Sequence, residues 1–345
     1  MRVSVIGHFA FGRDASNGQT IKTKVLTNEL TRRLGEDEVG TIDSFGGVKA
    51  LIKAPFRVFS ALKKSDNVII LPAQNGIRVY GRLLPLFRGL FKNKKIHYVV
   101  IGGWLPRFLE RHKGLGSALK KFDGIYVETN TMKHALEAMS FENVRVMPNF
   151  KELKTLTCDE LVYSNSEPYK LCTFSRVMKE KGIGDAVDAV RSINEKMGRV
   201  VCTLDIYGQV DSAQTEWFDE LKKTFPDYIR YGGLVPFDKS VETLKDYFAL
   251  LFPTYYEGEG FAGTLIDAFS AGIPVIASNW RYNAELVDDG ETGTVYSLDE
   301  KDALENALRY AIDDAIKFNN MKITCLKKAT DYSPSKVVGD FIKYF

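Results

Sequence analysis

Short apolar runs alternate with longer amphipathic runs along almost the whole sequence. The first half predicts strands over residues 3–7, 39–43, 67–71, 96–101, 124–128 and 144–147, and helices over residues 19–34, 48–64 and 131–139. Strands of four to six residues that are rich in Val and Ile and separated by helical segments pair in parallel, with helices on both faces of the sheet. The sequence therefore predicts an α/β fold with doubly wound sheets.

The alternation stops over residues 151–168, which show no clear core face, and then resumes. The second half predicts strands over residues 170–174, 200–207, 228–231, 249–253 and 274–277, and helices over residues 183–196, 216–225, 264–271 and 299–318. At roughly 100–200 residues per domain, the chain of 345 residues is expected to hold two domains. Ligands of such sheets bind at the carboxyl ends of the strands, so we expect the site in a cleft between the domains.

Cysteine usage and apolar run length exclude several classes of protein. The four cysteines are scattered without a CxxC pair, which argues against a disulfide scaffold or a zinc site and favours a reducing cytoplasm. No apolar run approaches the ~18 residues that span a bilayer, and no signal-peptide pattern follows the basic start. A dehydrogenase is disfavoured, because no Gly-x-Gly-x-x-Gly follows the first predicted strand.

The most informative segment, TYYEGEGFAGTLIDAFSAGIPVIAS, covers residues 254–278. A predicted strand leads into a loop that holds three glycines, and the loop opens onto a helix expected to start near Thr264. Glycine lets a backbone approach a ligand closely, and a helix start offers unpaired N–H groups, which together predict a phosphate site. The flanking carboxylates, Glu259 and Asp267, would then accept hydrogen bonds from ligand hydroxyls, which indicates a sugar nucleotide.

That segment also has a purely structural interpretation. Thr264 and Asp267 have the spacing of a capping box, the glycines can be turn residues, and Glu259 can be solvated.

A second segment, FSRVMKEKGI, covers residues 174–183 and follows the first predicted strand of the second domain. Arg176 and Lys181 would lie on the loop between that strand and the next helix. Two cations there can neutralise a diphosphate, and arginine can do so through two parallel hydrogen bonds. The alternative is that both cations are solvated.

Together the two segments resemble glycosyltransferase family 4, a family of retaining enzymes with the GT-B fold. Glu259-Gly260-Phe261 is similar to the opening of the family signature, Asp267 stands at its second acidic position, and residues 272–275 are similar to its Gly-x-Pro-Val turn. Arg176 and Lys181-Gly182 are similar to the family's conserved cations, and Gly18 to its amino-terminal glycine loop. The variant of the signature resembles the branch found in bacterial surface-polysaccharide assembly, such as that of capsules.

The resemblance implies a GT-B fold of two Rossmann-like domains that face a cleft. Residues 1–150 with about 330–345 would form the acceptor-binding domain, to which a terminal helix crosses back, and residues 151–329 would form the sugar-nucleotide-binding domain. Arg176 and Lys181 would hold the donor diphosphate, Glu259 would bind the donor sugar, and Asp267 would bind the ribose. The remaining donor contacts would come from the backbone around the glycines: Gly18, Gly260, Phe261, Ala262, Gly263 and Thr264.

The implied reaction retains anomeric configuration, and the catalytic groups would be Glu259, Arg176 and Lys181. The resemblance implies no metal and no cofactor, with a UDP- or GDP-linked sugar as substrate. The sequence agrees, since it has no Asp-x-Asp on a loop between strands and no clustered histidines.

Two positions depart from the family pattern. Asp267 is one methylene shorter than the usual Glu, and Ile101-Gly102-Gly103-Trp104 stands where many members carry a histidine. His8, after the first strand, faces the expected cleft, although a single histidine is more often structural. These departures leave open a non-catalytic sugar-nucleotide-binding subunit. Among enzymes, a GT-B phosphorylase or epimerase is the alternative.

Charge is divided unevenly along the chain. Residues 1–150 carry 24 Lys and Arg against 12 Asp and Glu, a net charge of +12, while the rest carries −9. Residues 46–64 and 77–95 contain no acid, and their cations include Lys49, Lys53, Arg57, Lys63, Arg82, Arg88, Lys92 and Lys94. Basic amphipathic stretches adsorb to anionic lipid, so we expect peripheral binding to the inner face of the cell membrane and a saccharide acceptor linked to lipid. No nucleic-acid-binding motif is present.

Overall fold

The computed structural model of the chain describes residues 1–12 and 18–345, and all of their side chains except those of residues 48–50. It divides into two compact units, of which the first comprises Met1–Glu152 with Ser333–Phe345 and the second Leu153–Tyr332. The strands are β1 Val3–Gly7, β2 Val39–Asp43, β3 Asn67–Ile70, β4 Lys95–Val99, β5 Gly124–Val127, β6 Val144–Val146, β7 Tyr169–Phe174, β8 Cys202–Tyr207, β9 Ile229–Gly233, β10 Ala249–Phe252, β11 Val275–Ser278 and β12 Gly293–Tyr296.

Helices connect nearly all of these strands. They are α1 Gly18–Leu34, α2 Gly47–Ile52, α3 Ala54–Lys64, α4 Gln74–Arg88, α5 Leu105–Glu110, α6 Lys113–Leu119, α7 Asn130–Glu137, α8 Ile183–Met197, α9 Thr215–Lys223, α10 Ser240–Leu244, α11 Gly263–Ser270, α12 Asn283–Leu286, α13 Ala303–Asp313, α14 Ala315–Thr330 and α15 Pro334–Ile342.

Each unit is built on one sheet of six parallel strands. The order is β2-β1-β3-β4-β5-β6 in the first unit and β12-β11-β10-β7-β8-β9 in the second. In each sheet the strand order reverses at one point, between β1 and β3 and between β7 and β10. Ligands of open α/β sheets bind at the carboxyl edge beside such a reversal. The topology therefore marks one candidate edge in each unit.

The structure differs from the sequence-based expectation at several elements, and helices α4, α5, α6, α10 and α12 were not predicted. The helix expected over residues 48–64 is interrupted at Lys53, where α3 begins with Pro55 in its first turn. The helix expected over residues 299–318 is two helices, because Asp314 ends α13 and caps α14 by accepting a hydrogen bond from the Lys317 N–H. Strand β12 was not predicted, since its four residues begin with a glycine and form an edge of the sheet.

The carboxyl-terminal helix α15 belongs to the first unit, as predicted. Val337, Val338 and Phe341 are buried with the residues of β1, β3 and α1 in one apolar core. The Phe341 ring makes edge contacts with Tyr126, at 4.6 Å between centroids, and with His97, at 5.8 Å. This core fixes the end of the chain on the amino-terminal sheet.

His97 is a structural residue within β4. Its ring nitrogens lie 3.0 Å from the Tyr126 hydroxyl and 3.0 Å from Asn67 Oδ1, and the side chain is fully buried. Burial, with the nearby charges of Lys95 and Arg145, lowers the pKa of His97 to about 3. The imidazole therefore stays neutral in the fold at physiological pH.

Lys322 is a fully buried cation in the second unit. Its ammonium lies 3.0 Å from the backbone carbonyl of Tyr247, to which it donates a hydrogen bond. Burial lowers the pKa of Lys322 to about 8. Its charged form is thus disfavoured in the folded chain and lowers the free energy of unfolding. This loss is complete below pH ~8, where the lysine is charged in both the folded and the unfolded chain, and absent above pH ~10.5, where it is neutral in both.

We expect Lys322→Met to raise the free energy of unfolding at pH 7 by about 1–3 kcal/mol, because it removes a desolvated charge and keeps most of the side-chain volume. The gain should shrink as the pH rises from about 8 to 10.5, where the lysine of the unfolded chain also becomes neutral. Chemical denaturation at pH 7, 9 and 10.5 measures it. Lys327→Met, at an exposed position of the same helix, is the matched control. A destabilised Lys322→Met at pH 7 would contradict this account.

Candidate functional site

The reversal of strand order in the second unit brings the two predicted segments together. Strand β10 pairs in parallel with β7, with Leu250 opposite Cys172, so both strands end at the same edge of the sheet. The segment with Arg176 and Lys181 follows β7, and the glycine-rich segment follows β10. Two segments about 80 residues apart in sequence thus form one site.

Glycine at position 182 is required for this convergence. Gly182 has φ +70°, and a Cβ atom there would lie 2.2 Å from the carbonyl oxygen of Pro253, at the end of β10. The Tyr255 N–H donates a hydrogen bond of 2.8 Å to the Glu180 carbonyl, which fastens the same two loops together. Only a residue without a side chain allows this approach.

Lys181 and Glu259 form a buried ion pair at the convergence. Lys181 Nζ lies 2.5 Å from Glu259 Oε2, and the two side chains are 12% and 7% exposed. The Thr254 hydroxyl donates to the same carboxylate oxygen at 2.8 Å. Lys181 Nζ also lies 5.1 Å from the centre of the Tyr256 ring. The interpretation of Lys181 and Glu259 as solvated side chains is therefore wrong.

Helix α11 starts beside this pair without a side-chain cap. Its N-cap is Ala262, so Thr264 is the second helical residue and the capping box with Asp267 does not form. Ala262, Gly263 and Thr264 are half-buried, and the first turn contains no acidic residue. Within the described part of the chain, the buried Thr264 hydroxyl has no hydrogen-bond partner. The helix start therefore presents polar backbone groups and a positive dipole end.

Asp267 faces away from solvent in the same helix. Its side chain is buried, and Oδ1 accepts a hydrogen bond of 2.7 Å from the Ser240 hydroxyl at the start of α10. Its carboxylate is thus held in place by a second element of the unit. A ligand hydroxyl would donate to a carboxylate that already accepts a hydrogen bond from Ser240.

Arg176 stands apart from the buried pair. Its side chain is 60% exposed, and its nearest ion-pair partner is Asp211, on the loop after β8, at 3.4 Å. Gly208, on the same loop, packs against Ser175 so closely that a Cβ would lie 1.8 Å from the Ser175 carbonyl. The loop is therefore fixed, while the guanidinium keeps freedom to turn towards an anion.

Three residues of the site were missed from sequence. Thr254 and Asp211 follow strands at the carboxyl edge, and Ser240 starts a short helix. A polar residue at the end of a buried strand is a usable signal for the first two. Ser240 carries no signal, because its contact with Asp267 depends on how α10 packs against α11.

The first unit has a cavity of about 730 Å³ at its own reversal of strand order. His8 and Pro72, which follow β1 and β3, line it with Phe45, Arg78 and Tyr80. His8 Nδ1 lies 2.7 Å from the Thr20 hydroxyl, and its ring packs edge-on against Phe45. His8 is therefore both hydrogen-bonded and a cavity residue.

Gly18 begins α1 close to this cavity. Gln19, the next residue, lines the cavity and donates a hydrogen bond of 3.0 Å to the Leu71 carbonyl. The preceding residue, Asn17, which was predicted with Gly18 as part of a glycine loop, lies outside the described residues. Among residues 1–12 and 18–345, no cluster of three or more His, Cys, Asp or Glu could hold a metal ion.

Comparison with known proteins gives the second unit a family match. Residues 162–325 match the family "Glycosyl transferases group 1", a range that includes both converging segments. The UDP-N-acetylglucosamine–peptide N-acetylglucosaminyltransferase GtfA subunit of Streptococcus gordonii is 29% identical over 181 residues, which are 50% of this chain and 33% of that protein. The match thus spans about a third of the length of this curated relative.

Solved structures show the fold of the whole chain. Anabaena Alr3699/HepE, solved in complex with UDP and glucose, is 14% identical with a TM-score of 0.73, over 99% of this chain and 98% of that one. The lipopolysaccharide outer core galactosyltransferase WaaB, in its apo form, is 18% identical with a TM-score of 0.71, over 100% and 99%. With the two six-stranded parallel sheets, these likenesses confirm the predicted GT-B fold.

Adding a methyl group to Gly182 should destabilise the chain by more than the backbone conformation alone explains. Gly198 has a similar φ of +63° with no atom within 4 Å of a Cβ, so it is the matched control. We expect Gly198→Ala to cost about 1 kcal/mol and Gly182→Ala at least about 2 kcal/mol, because the second also meets Pro253. Denaturant titration of both variants checks the difference. Equal losses would show that the contact with Pro253 is not a constraint.

Proposed function

We propose that this chain is a retaining glycosyltransferase that moves a sugar from a UDP- or GDP-linked donor to a saccharide acceptor. We further propose that the acceptor is lipid-linked, and that the reaction takes place at the inner face of the cell membrane during surface-polysaccharide synthesis. The buried pair Lys181–Glu259 beside the uncapped start of α11 carries the proposal. It sets one cation, one carboxylate and a helix start around the same point.

The donor fits this arrangement group by group. A diphosphate would take the helix start and the Lys181 ammonium, and Arg176 could join it by leaving Asp211, whose contact is long and exposed. Both hydrogen bonds to Glu259 use Oε2, and a carboxylate has further acceptor sites for sugar hydroxyls on Oε1. Asp267, which accepts a hydrogen bond from Ser240, would bind the ribose.

Charge stabilisation would drive the reaction. As the bond between sugar and diphosphate breaks, negative charge builds up on the leaving phosphate, and fixed cations and amide dipoles stabilise it without reorganisation. We propose that Lys181, Arg176 and α11 supply this stabilisation, with no metal and no cofactor.

The comparisons support a nucleotide-sugar donor and a saccharide acceptor. The relative from Streptococcus gordonii is named for UDP-N-acetylglucosamine, HepE binds UDP and glucose, and WaaB is a lipopolysaccharide galactosyltransferase. We propose the first unit, Met1–Glu152 with Ser333–Phe345, as the acceptor-binding domain and the second unit, Leu153–Tyr332, as the donor-binding domain. The cavity lined by His8 and Tyr80 gives the first unit room for an acceptor.

Lys181→Ala and Arg176→Ala should weaken binding of nucleoside diphosphates and leave the affinity for the bare nucleoside unchanged, because both cations are assigned to phosphate. A lost charge-assisted contact is worth about 1.5–3 kcal/mol, or roughly 10- to 150-fold in affinity. Calorimetry with UDP, UMP and uridine, and with the GDP series, measures it. Lys179→Ala is the control, since Lys179 lies exposed on the same loop. Unchanged diphosphate affinity in both variants would refute the assignment.

Two carboxylate variants separate sugar from nucleotide. Glu259→Gln should lower turnover at least about tenfold while nucleoside diphosphate affinity stays near that of the wild type. Asp267→Asn should lower the affinity for the nucleotide itself. Identical binding profiles for the two variants would exclude these roles.

The reaction itself tests the proposed function. Purified chain with a panel of UDP- and GDP-sugars should release nucleoside diphosphate, and the anomeric proton of the product should show retention by NMR. Turnover that needs inorganic phosphate would indicate the phosphorylase instead. Donor binding with no release of nucleoside diphosphate would indicate the non-catalytic subunit.

A further inference from the structure

Helices α3 and α4 of the first unit, and the residues that flank them, expose large apolar side chains. Phe56 is 81% exposed, Leu86 is 72% exposed and Leu90 is 69% exposed, while Ile52, one turn before Phe56, is 72% exposed. The opposite faces of the same helices are buried by residues such as Val58 and Leu84. These apolar side chains are therefore additional to those that pack the core.

An aromatic contact joins the two helices that carry these side chains. Phe59, one turn after Phe56, packs edge-on against Phe87 and Phe91, with ring centroids 6.4 and 5.3 Å apart. Phe87 and Phe91 are the chain neighbours of Leu86 and Leu90. The two helices are thus joined by an aromatic contact with apolar side chains on both sides. We call the surface of Ile52, Phe56, Phe59, Leu86 and Leu90 the apolar face.

The charge around the apolar face has one sign. Residues 44–109 contain twelve Lys and Arg and a single acid, Asp66. Arg88 is paired with Asp123 at 2.7 Å and Lys94 with Asp66 at 3.4 Å, and Arg57 is half-buried, so these three cations are less available. The Lys49 side chain lies outside the described residues. Exposed cations on the same stretches of chain include Lys53, Lys63, Arg82 and Lys92.

We propose that the apolar face docks onto an anionic lipid bilayer, with Phe56, Ile52, Leu86 and Leu90 inserted between the lipids and the four exposed cations at the headgroups. Apolar side chains flanked by cations suit an anionic lipid interface, whereas the interfaces of protein partners are depleted of lysine. Among the described residues, no helix is long and apolar enough to cross a membrane. The inference extends the membrane location proposed above to a specific surface, and it does not depend on the sugar chemistry.

Vesicle binding tests the proposal. We expect the chain to cosediment with phosphatidylcholine vesicles that contain 30% phosphatidylglycerol, and only weakly with pure phosphatidylcholine. Raising the salt from 0.1 to 1 M shortens the Debye length from about 10 to 3 Å and should weaken binding, with a remainder due to apolar insertion.

Two double variants separate the electrostatic contribution to vesicle binding from the contribution of apolar insertion. Lys53→Glu with Lys92→Glu should lower binding at low salt at least about tenfold, because each cation near the surface contributes to lipid attraction. Phe56→Ser with Leu86→Ser should abolish the salt-resistant remainder. Lys301→Glu with Lys327→Glu makes the same charge change at exposed positions of the second unit, and Ile316→Ser removes a side chain there that is 75% exposed. These controls should bind like the wild type.

Several outcomes would overturn the docking surface. They are equal binding to neutral and anionic vesicles, an equal loss in the control variants, or self-association of the chain that Phe56→Ser abolishes, which would make the face a contact between copies. Transferase activity is measured separately with soluble donor. A chain that turns over donor and ignores vesicles refutes only the docking surface, and one that binds vesicles without binding nucleotide refutes only the proposed function.

Discussion

The close approach of Gly182 to Pro253 is the constraint on which the candidate site depends. A parallel sheet whose order reverses between β7 and β10 leaves the loops after these strands side by side. Bulky loops would splay apart there. Because residue 182 has no Cβ and adopts φ +70°, the chain after β7 folds back onto the end of β10, and the Glu180 carbonyl meets the Tyr255 N–H. Lys181, the residue before the glycine, is thereby aimed at Glu259.

The ion pair so formed is costly by itself. Removing both charges from water carries a desolvation penalty that a single contact of 2.5 Å rarely exceeds, and the Thr254 hydroxyl offsets only part of it. Such a pair makes physical sense where a ligand will use it. The carboxylate holds the lysine in one rotamer, so an arriving phosphate would meet a cation that needs no reorganisation. Strain of this kind collects at functional sites and is supported by the surrounding fold.

Most strands could be predicted because each is a buried run of Val, Ile or Leu bounded by polar or turn residues. The two segments could be placed at the ends of strands without knowledge of the strand order. The sequence therefore predicted that Arg176, Lys181 and Glu259 lie at the carboxyl edge of the sheet. The pairing of Lys181 with Glu259 was not, because 78 residues separate them and only the reversal between β7 and β10 makes them neighbours. The absence of a capping box was equally hidden, since it depends on helix α11 starting at Gly263 instead of after Thr264.

The errors in helix prediction have different physical origins. Pro55 in the first turn of α3 is a visible signal for a new helix start, because proline is tolerated there and disfavoured in a helix interior. No glycine or proline marks the break at Asp314, where a side-chain cap ends one helix and begins the next. That break turns α14 so that Phe318 and Met321 enter the core of the second unit. The local periodicity does not reveal this break, because the Asp314 cap and the burial of Phe318 and Met321 depend on tertiary packing.

The two units divide the chemistry of the chain between surfaces with different physical requirements. The proposed donor site of the second unit is assembled from loops whose positions are fixed by glycine contacts and buried hydrogen bonds, as a reaction that depends on preorganised charge would require. In our proposal the apolar face of the first unit needs no such precision, because lipid is fluid and attraction adds up over dispersed cations. The excess of +12 in residues 1–150 would then provide long-range attraction to lipid, and the carboxylates of Glu259 and Asp267 would bind hydroxyls. Since α3 and α4 carry the apolar face on the side away from the sheet, changes there leave the strand edges and their loops intact.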